Sequence, residues 1–325
     1  MADKTGIEWT DATWNPIRGC SRVSEGCRNC YAETTAKRFS GEGMPYEGLI
    51  AKGGQWNGEI TLVPEKLDEP LRWQRPRRIF VNSMSDLFHE NVPDDYVDKV
   101  FAVMALSERH TFQILTKRPE RMRQYLLNPW TRVNIGDRAG DMVEDGDTAQ
   151  TYVVNRPWPL SNVWLGVSVE DQKAADERIP LLLETPAAVR WISAEPLLGS
   201  INLEMYFEQW PDHNGVRVVQ NGNGLDWVVV GGESGKDARP MYPAWAKSLR
   251  DQCKSADVPF LFKQWGEWLE GEMPAWPETA DYKSTNGTGY YDGDLWMDRV
   301  GKKKAGRLLD GALHDQYPRM TRCAI

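Results

Sequence analysis

The chain has 325 residues, 41% of them hydrophobic, which is enough to bury a sizeable core and excludes a largely disordered protein. With 39 basic against 47 acidic side chains, its formal charge of −8 excludes a protein that holds nucleic acid mainly by diffuse attraction to phosphates. There is no run of about 18 apolar residues and no cationic-then-apolar leader at the start, so the expectation is a soluble, cytoplasmic protein with no membrane association.

The first candidate strand, residues 13–18, leads directly into three closely spaced cysteines, Cys20, Cys27 and Cys30. From residue 78 onward short apolar runs return at intervals: 78–81, 112–115, 163–167, 189–192, 227–230 and 259–262. They are rich in β-branched and aromatic residues and lack strict alternation, as strands buried on both faces do. Helical stretches separate them. Val97, Val100, Phe101 and Met104 form a stripe within 94–109, and 118–127 follows the next run. The helix predicted over 171–184 is interrupted at Pro180, and 244–255 stacks Trp245, Leu249 and Cys253 at four-residue steps.

Such alternation predicts an α/β fold, a parallel (β/α) barrel or partial TIM barrel of six to eight strands with loop insertions. The barrel is expected over residues 1–265, with insertions at 128–160 and 204–225. Residues 266–325 form a C-terminal extension. The Gly-, Pro- and Trp-rich stretch 265–294 has the composition of a lid, and 295–310 that of a hairpin turning at Gly301.

In a parallel barrel the functional groups gather where strands end at their carboxyl side. Each run here is followed by polar residues: Asn82 to Asp86 with Ser85 among them, Thr116-Lys117-Arg118, Ser168-Val169-Glu170, Ser193-Ala194-Glu195, Gly231-Gly232-Glu233 and Lys263-Gln264. A purely structural barrel has no need of this, so the rim is the candidate active site.

Clustered thiols in a reducing compartment indicate a metal or cluster site rather than a disulfide. A structural zinc site takes four ligands, often from two Cys-x2-Cys pairs, and only one such pair is present. Cys253 belongs to an apolar helical stripe and Cys323 lies at the far end of the chain. Three thiolates without a local fourth suit a four-iron (4Fe-4S) cluster with one iron left open. That iron can bind S-adenosylmethionine through its amino and carboxylate groups.

With three clustered cysteines after the first strand and a strand–helix barrel behind them, residues 13–263 resemble the radical S-adenosylmethionine superfamily. The motifs WTDATWNPIRGC, GCRNCYAE, NSMSDLFH, LTKRP, SAEPLLG, GGESG and FKQWG, in that order, resemble more narrowly a phage- and prophage-associated family classed with the radical enzymes. The first cysteine gap is six residues where the superfamily commonly has three, and Asn29 stands where an aromatic residue usually precedes the last cysteine. The Gly-Gly-Glu element follows the sixth strand rather than the second. Ser85-Asp86 instead resembles the Ser-Asp element of the spore-photoproduct-lyase-like branch.

The resemblance implies an enzyme in which Cys20, Cys27 and Cys30 hold the cluster. S-adenosylmethionine, with its cationic sulfonium and ammonium, would meet Ser85, Asp86, Ser168, Glu170, Gly232 and Glu233, with Lys117 offered to its carboxylate. Glu195 and Lys263 are the candidate catalytic pair, with Lys263 also the expected partner of Glu233. A flavodoxin or ferredoxin would supply electrons in the cytoplasm (of the host, if the chain is phage-encoded). The substrate is open, with nucleic acid or nucleotide as the class suggested by the photoproduct-lyase likeness. Two other readings stand beside it: a TIM-barrel hydrolase using Glu195 and Glu233, and a zinc-stapled phage binding protein without catalysis.

Overall fold

In the computed structural model, which describes residues 5–207, 210–211, 217–218, 224–271, 289–291 and 295–318, seven short strands form one all-parallel sheet curled into a half-barrel. They are β1 (Ala12–Trp14), β2 (Arg78–Val81), β3 (Thr111–Thr116), β4 (Val163–Ser168), β5 (Val189–Ala194), β6 (Trp227–Gly231) and β7 (Phe260–Gln264). Each pairs with its neighbour in sequence order, from β1 at one edge to β7 at the other. Helices α1 (Tyr31–Arg38), α2 (Asp94–Leu106), α3 (Pro119–Leu127), α4 (Thr131–Gly140), α5 (Gly146–Asn155), α6 (Gln172–Leu183) and α7 (Pro243–Ala256) flank it. No helix among the described residues is long and apolar enough to cross a membrane.

Side chains alternate between the two faces of the sheet, yet both faces are apolar. Ile79, Val81, Phe112, Ile114, Leu165, Ile192, Val228 and Phe262 pack into the core shared with the helices. Phe80, Trp164, Trp191, Trp227, Val229 and Leu261 fill the inside of the half-barrel with Trp9. Burial on both sides is why the runs show no polar alternation. Apart from Gln113 inside the half-barrel, the polar side chains gather toward the strand ends, where Lys117, Ser168, Ser193, Glu195 and Lys263 border an open cavity.

The free edge of β7 is covered by the C-terminal segment. The Phe262 N–H donates to the His314 carbonyl at 2.9 Å, and Gln316 N–H to the Phe260 carbonyl at 3.2 Å. Tyr317 then packs on Trp227 and lies beneath the Arg78 guanidinium, 4.1 Å from ring centroid to Cζ. Tyr317 thus lies where β2 and β6 begin, at the amino-terminal end of the strands.

Three sequence expectations are corrected. Residues 13–18 are not one strand: β1 ends at Trp14, and Ile17–Arg18 pairs antiparallel with Thr61–Leu62. Pro16, lacking an N–H, breaks the ladder between them. Pro180 does not interrupt α6. An interior proline costs about 3 kcal/mol, and complete burial of Ile179 and Leu182, at about 1.5–3 kcal/mol each, offsets it. Gly301 is not a hairpin turn. Trp296–Arg299 pairs antiparallel with Trp268–Glu270 and Gly289–Tyr291, and Gly301, at φ +85°, starts a short helix at Lys302–Ala305. The insertion expected at 128–160 is the helical pair α4 and α5, while most of 204–225, most of the predicted lid and Cys323 fall outside the described residues.

Candidate functional site

The loop after β1 carries the cysteines to the carboxyl end of the sheet. Gly19 bridges to Ser85 beyond β2, Glu25–Cys27 forms a single tight turn, and Cys30 immediately precedes α1. All three thiols are partly buried and line one cavity of about 870 Å³. Ser85, Asp86, Lys117, Ser168, Glu195, Gly232, Glu233 and Lys263 line the same cavity. Every site residue inferred from the sequence is therefore on its wall except Glu170.

Most of the rim carboxylates hold the cysteine loop in place. Asp86 accepts hydrogen bonds from the Thr116 hydroxyl (2.8 and 2.9 Å), Lys117 N–H (3.1 Å), Phe88 N–H (2.9 Å) and Arg118 Nη1 (3.1 Å). Arg118, so fixed, reaches Ser21 Oγ at 2.6 Å and lies 3.9 Å from Cys20 Sγ. Glu170 sits behind the loop instead of in the cavity. Its carboxylate pairs with Arg178 at 2.9 Å and accepts the Gly26 N–H at 3.4 Å. Burial works to raise the Glu170 carboxyl, and the hydrogen bonds and cations around it, Arg178 among them, more than offset that.

Glu233 does not pair with Lys263, as the sequence suggested. It pairs with Arg239 at 2.7 Å and accepts Asn29 Nδ2, in the cysteine loop, at 2.9 Å. Arg239 in turn donates to the Glu25 carbonyl at 3.0 Å. Burial would raise the Glu233 carboxyl, but Arg239 and Asn29 hold it below its ordinary value. Lys263 instead grips Glu195, with Nζ 2.7 and 2.9 Å from the two carboxylate oxygens. These two groups come from β7 and the end of β5, and β6 lies between them. They meet because Gly231 ends β6 there: a Cβ on it would stand 3.2 Å from the Glu195 carboxyl carbon. Gly232 lines the cavity, and its bareness also serves the fold. A Cβ at that position would lie 1.9 Å from the Trp265 carbonyl oxygen, so its bareness lets two backbone segments touch.

Burial pushes the Cys20 thiol up to about 12, with Asp86 adding to the shift and Arg118 opposing it. The Cys30 thiol is also pushed up by burial, against the backbone N–H groups of Glu33 and Ala32 and the Lys117 cation. Each pair, Cys20 with Cys30 and Cys30 with Cys27, is close enough to feel the other's charge. Among the described residues no three His, Cys, Asp or Glu side chains gather tightly enough for a single metal ion. A polynuclear cluster takes each thiolate on a different metal atom and so accepts wider spacing. The donor set (three thiols of one loop with cations Arg118 and Lys117 nearby) fits an anionic iron–sulfur cluster. Cys253 is fully buried in α7 and outside the cavity, as its helical stripe implied.

Sequence reasoning missed Arg178 and Arg239, which neutralise Glu170 and Glu233. Arg239 is six residues beyond its partner and Arg178 eight, spacings that carry no signature across a turn or cap. Asn29 was noticed only as a departure from a motif, although it ties the loop to Glu233.

Fold and site together define an open parallel α/β half-barrel with a cysteine-lined cavity at its carboxyl mouth. The match of residues 4–318 to a family model makes the chain a member of the family described as protein of unknown function (DUF5131). Neither a curated protein nor a solved structure matches it.

Proposed function

We propose that this protein is a radical S-adenosylmethionine enzyme whose 4Fe-4S cluster is held by Cys20, Cys27 and Cys30. The observation that carries the reading is that all three cysteines open on one roomy cavity whose wall also bears Lys117, Ser168, Glu195 and Lys263. When bound, the cluster and S-adenosylmethionine supply one-electron cleavage of a sulfonium and hydrogen-atom abstraction.

The chain's own residues orient and shield. Lys117 forms no salt bridge with a described residue and gives the cofactor carboxylate a cation. Asp86 and Arg118 fix Cys20, Glu170 and Arg178 fix Gly26, and Glu233 and Arg239 fix the stretch from Glu25 to Asn29. The Glu195–Lys263 pair borders the cavity as the candidate for moving a proton near the substrate, for which a nucleotide or nucleic acid is the proposed class. A flavodoxin or ferredoxin in the cytoplasm would be the electron donor. The hydrolase reading has less support, because it leaves the three cavity-lining cysteines without a role and because Arg239 and Asn29 hold Glu233 against the cysteine loop.

Anaerobic reconstitution with iron and sulfide tests the proposal. About four irons per chain are expected, lost in the Cys20→Ala, Cys27→Ala and Cys30→Ala variants, with 5′-deoxyadenosine formed from S-adenosylmethionine under reduction. Stoichiometric zinc with no iron uptake would establish the zinc-stapled alternative instead.

A further inference from the structure

The cavity wall contains a polar side chain that no described residue satisfies. Asn82 directly follows β2 and is 2% exposed, and neither its Nδ2 nor its Oδ1 has a hydrogen-bond partner among the described residues. Its backbone is in the left-handed region at φ +59°, while its N–H continues the sheet by donating to the Trp14 carbonyl at 2.8 Å. Leaving a buried donor and acceptor unmet is costly, so such a carboxamide is expected to have a partner.

Gln113, Trp164 and Trp191 also hold unpartnered polar atoms, but they lie below the cavity in the interior of the half-barrel. Asn82 differs because it borders open space. So does Trp9, whose buried indole N–H is likewise unpartnered and whose ring packs on Phe80 at 4.7 Å between centroids. Together with Leu115, these residues give the inner end of the cavity apolar surface, two unmet donor groups and one unmet acceptor.

We infer that the inner end of the cavity is a nucleobase subsite in which the Asn82 carboxamide reads a base edge. A planar base offers an apolar face for Phe80, Trp9 and Leu115, and a donor beside an acceptor for the carboxamide, as adenine does through its amino group and N7. The inference deepens the proposed function, since the base belongs either to S-adenosylmethionine or to a nucleotide substrate. It does not require the iron cluster.

The test uses metal-free, full-length protein and adenosine, with ribose 5-phosphate as a ligand lacking the base. Calorimetric binding of adenosine but not of ribose 5-phosphate is expected. Asn82→Gly keeps the left-handed backbone and deletes the carboxamide; it should weaken adenosine binding about tenfold or more. Thermal unfolding of this variant without ligand should stay near that of the parent, because the deleted carboxamide has no hydrogen-bond partner among the described residues. Competition by S-adenosylmethionine would assign the base to the cofactor, and additive binding to a second ligand; either outcome supports the subsite. Equal affinity of the parent and Asn82→Gly for adenosine would overturn it, as would no adenosine binding at all. A failed iron reconstitution leaves these measurements untouched and so falls on the proposed function alone.

Discussion

Replacing Arg178 by Met removes a cation of similar length and leaves Glu170 behind the cysteine loop without its ion-pair partner. The two side chains are 8% and 3% exposed, so little solvent can replace the lost partner. Breaking a buried pair from one side costs about 3–5 kcal/mol, mostly the cost of the stranded charge. The loss also frees the Ser168 carbonyl, to which Arg178 donates at 2.8 Å. In the parent the Glu170 carboxyl is held low, so its contribution is present above the unfolded carboxylate value and fades as pH falls through the lower folded value. In Arg178→Met burial acts unopposed by that cation, and ionisation becomes more unfavourable as pH rises. Both slopes act in the same sense, so the stability gap should widen from about pH 4 to about pH 7. Urea unfolding of both proteins across that range measures the gap. Adding Glu170→Gln to the variant should restore much of the loss, because a neutral amide tolerates burial better. A gap under about 1 kcal/mol at neutral pH, or one that does not change with pH, would show that Glu170 is not a buried charge held by Arg178.

Two further outcomes follow from the same geometry. Glu233→Gln keeps the shape but gives up the charge that Arg239 meets, so stability should fall by about 1–3 kcal/mol, read by thermal unfolding, and the loop at Asn29 should become more sensitive to protease. Unchanged stability with weakened S-adenosylmethionine binding would place that carboxylate on the cofactor instead. Cys253→Ala should cost about 1 kcal/mol as a small core truncation and leave iron uptake on reconstitution at the parent level; lost iron would make Cys253 a ligand.

Much of the architecture was legible because burial on both faces of a parallel strand forces a continuous apolar run. The six runs from residue 78 on all became strands, with no end shifted by more than two residues. The rim was legible for a related reason: a buried strand must stop where polar groups begin, so Lys117, Ser168, Glu195 and Lys263 mark the cavity from the sequence alone. The cysteine loop was also visible, since eleven consecutive residues cannot place their thiols far apart.

Pairing across the rim was not legible. Lys263 lies near the end of β7 and Glu233 just beyond β6, so adjacency of the two strands favours joining them. In the curled sheet Lys263 reaches past β6 to Glu195, through the space Gly231 leaves, and Glu233 turns to Arg239 and the cysteine loop. Likewise nothing in the sequence distinguishes Glu170, placed behind the loop, from Ser168, placed on the cavity wall two residues earlier. The sequence determined which strand end each polar group occupies. Only the curvature of the sheet decided which groups face one another, because that depends on distances between strands far apart in the chain.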